Sequence, residues 1–141
     1  MPSANVSNLP LKVAQAYFTG TWKFMLVTSA PSESDLDTWA TRSQVTSEHA
    51  ATGGYTAGGF NVTIDSVTLD TANNRAAVTF SAASPTLTGV TLAGVVGGFL
   101  YKSLGSAATD ELATFVDYGS AKGVTSGNFT HAFTTPLYIN R

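Results

Sequence analysis

Residues 60–81 read FNVTIDSVTLDTANNRAAVTFS, and this stretch decides the fold class. Phe60, Val62 and Ile64 alternate with Asn61, Thr63 and Asp65, the two-residue period of a half-buried strand. At Ser66 the pattern slips by one, and Val67 and Leu69 take over the apolar face. A one-residue slip would turn every later side chain to the other face, so a β-bulge is predicted near Asp65 and Ser66. Residues 70–74 (DTANN) are turn formers. Residues 75–81 (RAAVTFS) then return with Ala76, Val78 and Phe80 facing in. Together these segments predict a β-hairpin.

Outward from the hairpin, further strands are predicted. Residues 22–28 (WKFMLVT) alternate, but only Lys23 marks an outer face, so a central strand buried on both sides is expected. Residues 95–104 (VVGGFLYKSL), 112–119 (LATFVDYG), 128–134 (NFTHAFT) and 137–140 (LYIN) read as strands, with a turn at 123–127. Before them, Asn8 and Pro10 suggest a helix start, and Val13, Ala16 and Tyr17 share one helical face. Gly20 is a plausible stop. Residues 31–37 (PSESDLD) read as turn and loop, and residues 39–50 suit either a β edge or a helical turn. Residues 53–59 (GGYTAGG) are a glycine-rich loop. The expected architecture is mainly β: an antiparallel β-sandwich or small barrel of about seven strands with one short N-terminal helix. Residues 1–8 are expected to form a flexible arm and residues 9–141 a single β-rich domain.

Composition narrows the function. Apolar residues are 43% of the 141-residue chain and charged residues 11%, against a usual charged share of about 25%. Ser, Thr and Gly supply the polarity. A free monomer normally keeps a charged surface, so this one suits packing against copies of itself or a larger assembly. The net charge is −2, and the seven Lys and Arg are scattered singly. A phosphate-neutralising patch is missing, which argues against nucleic-acid binding. There are no cysteines, so disulfides, thiolate nucleophiles and sulfur-bound zinc are excluded. The most apolar run, 90–101, is short and broken by Gly94, Gly97 and Gly98, which argues against a membrane span.

Several residues invite a chemical reading. Gly53, Gly54, Gly58 and Gly59 suggest a phosphate loop, but Phe60 and a strand follow where Lys and Ser or Thr are required. Glu33, Asp35 and Asp37 offer hard oxygen ligands without EF-hand spacing, and read as a solvated loop. Asp65 and Asp70 read as surface turn acids rather than a carboxylate pair. A zinc site would need His49, His131 and an acid such as Glu48, and no spacing favours it. His131, between Phe129 and Phe133, reads either as a buried ring with its hydrogen bonds met or as a subunit contact. The N-x-S/T triplets at Asn5, Asn61 and Asn128 are expected by chance in so Thr- and Ser-rich a chain. Trp39 and Tyr55 fall in loops and are the expected exposed aromatics, suited to anchoring a protein contact. With Gly58 and Gly59, which would let backbones approach, they form the candidate interface. No catalytic, cofactor or metal residues are expected.

Five segments carry a resemblance: residues 13–28 (VAQAYFTGTWKFMLVT), 52–60 (TGGYTAGGF), 98–102 (GFLYK), 113–119 (ATFVDYG) and 128–139 (NFTHAFTTPLYI). In this order they resemble small structural proteins of tailed-bacteriophage particles, of the capsid decoration, head fibre or tail-associated type. The resemblance spans most of the chain apart from 31–51 and 83–94. It implies a non-enzymatic virion component, assembled in the host cytoplasm, that binds the capsid surface in multiple copies. Its partners would be major capsid or tail proteins and further copies of itself, with no nucleic acid and no membrane. A tail- or fibre-associated protein, or a receptor- or carbohydrate-binding tip module, is the alternative.

Overall fold

The computed structural model describes residues 8–81 and 85–140. Seven strands form two antiparallel sheets, and one short helix leads them, as the sequence predicts. The chain groups into two compact units. One unit takes the chain up to Gly20, re-enters at Thr63 and resumes at Ala132; the other takes Thr21–Val62 and the stretch ending at His131. Of the expected N-terminal arm, residues 1–7 lie outside the described residues.

The smaller unit holds helix α1 (Leu9–Tyr17) and strands β3 (Ile64–Asp70), β4 (Arg75–Phe80) and β7 (Leu137–Asn140), in the order β3-β4-β7. The hairpin is β3–β4, with Asp70 opposite Arg75 and Val67 opposite Val78. Its register slips between Ile64 and Ser66, where the apolar pattern changes phase. Ala76, Val78 and Phe80 are buried, and Phe80 meets Phe133 at 5.4 Å between ring centres. Arg75 closes the hairpin, with Nε 2.9 Å from Asp70 Oδ2 and its guanidinium 3.4 Å over the Tyr138 ring. Helix α1 packs on this sheet, but not by the expected face. Pro10 and Ala14 are buried, whereas Val13 is 49% exposed. Asn8 occupies the N-cap position without a capping side-chain bond, and Pro10 sits in the first turn.

The larger unit holds β1 (Thr21–Val27), β2 (Phe60–Val62), β5 (Leu87–Ser103) and β6 (Glu111–Phe129), ordered β2-β1-β5-β6. Strand β1 is the central strand its composition predicts. Trp22, Phe24, Met25, Leu26 and Val27 are each at most 1% exposed, so both faces are covered. Burying such side chains contributes about 1.5–3 kcal/mol each. Gly98 sits opposite Leu26, and a Cβ there would overlap the Phe24 ring.

Two expectations are corrected in this unit, and one left open is resolved. Residues 31–37 are not all loop: Glu33–Thr38 form helix α2. The Ser32 side chain accepts from the Asp35 N–H, and the Asp35 carboxylate accepts from the Ser32 N–H. This reciprocal cap starts a six-residue helix that buries none of its residues. Residues 39–50 contain both alternatives, a 3-10 turn at Arg42–Gln44 and single bridges of Thr41 to Glu111 and Val27 to Glu48. Residues 111–129 are one strand rather than a strand and a turn, and the strand expected over 128–134 does not continue beyond Phe129. The register against β5 slips repeatedly along it, with Gly119 (φ +72) and Ser126 (φ +46) in left-handed conformations. The strand thus continues through Gly123 and Gly127, and its irregularities centre on Gly119 and Ser126.

Candidate interaction surface

Helix α2 ends at Trp39, whose N–H donates to the Asp35 carbonyl at 2.7 Å. The Trp39 side chain lies against the cluster of Met25, Val27, Phe99 and Tyr101, its ring 6.1 Å from that of Phe99. Trp39 is thus half-buried rather than a free loop aromatic. Its outer edge joins Leu36, Phe99, Phe115 and residues 112–114 in lining a small open groove. Leu36, 49% exposed, forms one rim.

The groove runs along an open strand edge. At its start β6 is covered: Leu112 N–H donates to the Ala40 carbonyl and Arg42 N–H to the Asp110 carbonyl, both at 3.0 Å. From Ala113 onward no strand among the described residues pairs with the outer side of β6. Its outer half carries one charged side chain beyond Asp117, that of Lys122.

The position of the covering segment is fixed by a buried ion pair. Arg42 Nε lies 2.7 Å from Asp110 Oδ2, and Asp110 is 2% exposed. Burial pushes the Asp110 carboxyl up, but the Leu104 N–H and the Arg42 guanidinium outweigh it and hold the group below the usual carboxylate range. Arg42 also lies over the Tyr101 ring at 5.4 Å.

Tyr55, Gly58 and Gly59 do not belong to this surface. Tyr55 is 1% exposed, and its hydroxyl accepts the Leu26 N–H and donates to Glu48, both at 3.0 Å. The physical reason is the shortness of β2, which pairs with β1 only at Trp22, Lys23 and Phe24. Beyond Phe24 the free edge of β1 takes other partners: Ser47 for Thr28, His49 for Leu26, and the Tyr55 hydroxyl. Burial, then the charge of Glu48, pushes the Tyr55 phenol well above its ordinary range. Gly58 and Gly59 are buried too. The Gly58 N–H donates to Glu48 at 2.6 Å and its carbonyl accepts from Tyr101. Burial pushes the Tyr101 phenol up to about 12. Gly59 has φ +85, and a Cβ there would overlap the Phe24 carbonyl. The loop is an internal brace whose glycines let it lie against β1.

His131 answers its own question. It is 5% exposed, stacked 4.3 Å from Phe24 at 22°, with Nδ1 2.8 Å from the Tyr118 hydroxyl. Burial pulls its pKa down to about 4 and pushes the Tyr118 phenol up. The ring is thus buried, with Tyr118 at its Nδ1, and sequence spacing alone reveals neither Tyr118 nor Phe24.

The remaining chemical candidates are dispersed. Asp65 accepts from Ser81, and Asp70 from Asn73 and Arg75. Glu33, Asp35 and Asp37 are spread along α2. His49 Nδ1 lies 2.7 Å from the Ala50 carbonyl, and its Nε2 accepts from the Ala93 N–H at 3.3 Å. Among the described residues, no three His, Asp or Glu side chains are grouped to hold a metal ion. No described helix is long and apolar enough to cross a membrane. Comparison with protein-family models, curated proteins and solved structures finds no match.

Proposed function

We propose that this chain is a non-enzymatic structural component of a phage particle, a small protein that binds the capsid surface in multiple copies. The observation that carries the reading is the pairing of a charge-poor open edge on β6 with the apolar groove at Trp39. Proteins that work as monomers blunt long edges with charge, proline or cover. Here residues 113–116 have none of these, although a bulge follows at Gly119. Four of the few charges are taken up in ion pairs, Arg42 with Asp110 and Arg75 with Asp70. Such a surface acts by shape and burial against repeated neighbours, and the resemblance to virion proteins names the assembly.

The test is mass spectrometry and cryo-microscopy of purified particles of the phage that encodes the chain. The expected result is density for it in symmetry-related copies, with the Trp39 face against a neighbour. If the chain is missing from purified particles, the proposal is wrong.

A further inference from the structure

The regular stretch of the open β6 edge is short and bounded. At one side the Ala40–Leu112 bond and the Thr41–Glu111 bridge close it. At the other, β6 advances five residues from Asp117 to Lys122 while β5 advances two from Gly97 to Val95, so a bulge ends the regular ladder. What lies between is a slot from Ala113 to Asp117, about 17 Å long at the usual strand rise. Leu36, Trp39 and Phe115 make one wall of it apolar. The slot suits a single extended segment whose alternate side chains are apolar.

The chain contains one such segment outside the described residues. Residues 2–7 read PSANVS, with Pro2, Ala4 and Val6 apolar and Ser3, Asn5 and Ser7 polar. This is strict two-residue alternation, and the one proline stands at its start, where a strand tolerates it. Six residues extend to about 20 Å, enough to fill the slot. The segment carries no charged side chain, as does the slot from Ala113 to Val116.

We propose that residues 2–7 of one copy add as a strand to the β6 edge of a second copy, with Pro2, Ala4 and Val6 turned to the Trp39 groove. Choosing a second copy as the source rests on the multiple-copy reading above. Each chain then gives one strand and receives one, a head-to-tail contact that builds a ring or an array.

The absence of cysteines permits a direct test. Val6→Cys and Ala113→Cys are made in separate full-length chains, one carrying a mass tag, then mixed and oxidised. The expected result is a covalent heterodimer on a non-reducing gel, lost when Thr114→Pro is added to the Ala113→Cys chain to break the edge ladder. No heterodimer overturns the proposal, as does a heterodimer that survives Thr114→Pro. The same pair in one chain reports the remaining case, since an exclusively intramolecular bond means the segment folds back on its own copy and overturns the exchange. Purified protein suffices, so failure here is distinct from absence of the chain from particles.

Discussion

Lowering the pH from 7 to 4 should destabilise the protein through His131. The ring is buried against Phe24 and Tyr118, and its folded pKa of about 4 lies below the ordinary 6.5. Between these values the unfolded chain binds a proton that the folded chain does not. Stability therefore falls as pH drops through 6.5 and levels off, for this group, below about 4. At about 1.4 kcal/mol per pH unit the gap corresponds to about 3 kcal/mol. Tyr118 does not titrate in this window, because burial raises its pKa further. The assay is urea unfolding at pH 7, 6, 5 and 4 for the parent and for His131→Phe. The variant keeps the stack on Phe24 and deprives the Tyr118 hydroxyl of its His131 partner, a pH-independent cost of about 1–2 kcal/mol. The parent's stability relative to the variant should fall by about 3 kcal/mol between pH 7 and pH 4, so that the variant becomes the more stable at pH 4. Subtraction removes the carboxylates common to both. A difference that stays constant, or a His131 pKa above 6 by NMR, would refute the reasoning.

The loop brace and the ion pair give further expectations. Tyr55→Phe removes the hydroxyl that serves both Leu26 and Glu48 and should cost about 1–3 kcal/mol in urea unfolding. Gly59→Ala combines a left-handed φ with overlap on the Phe24 carbonyl, and its melting temperature should drop by several degrees or more. Asp110→Asn leaves Arg42 without its carboxylate and should cost about 2–4 kcal/mol by the same unfolding assay. Acrylamide quenching should separate the two tryptophans, with Trp39 accessible and Trp22, 1% exposed, protected.

What the sequence reveals divides along physical lines. Strand β1 and the β3–β4 hairpin are legible because period and turn chemistry are local, and even the slip at Ser66 is written in the phase of Val67 and Leu69. Helix α2 is missed because its acidic residues resemble a loop, and the signal available was Ser32 followed three residues later by Asp35. The Gly123 region misleads for a different reason, since glycine fits an extended strand as well as a turn, and β6 runs on through Gly123 and Gly127. The partners of His131 are not local at all: Tyr118 and Phe24 reach it only once the sheet exists. Tyr55 is the instructive error. A glycine-rich surround suggests exposure, yet its hydroxyl stands in for a strand that begins too late, and nothing around residue 55 announces where β2 starts.

The route of the chain through its two units has a consequence for synthesis. Strand β4 pairs with β7, so Ala76 waits for Ile139 and Val78 for Leu137. Every segment of the larger unit is translated before β7. Emerging from a ribosome, the four-stranded sheet can therefore close while the three-stranded one is still a two-stranded hairpin under α1, and isolated hairpins are marginal in water. The expected outcome is that the smaller unit becomes stable last and opens first on unfolding. Native-state hydrogen exchange checks this order: Ile139→Pro should strip protection from β3 and β4 and leave it on β1 and β5.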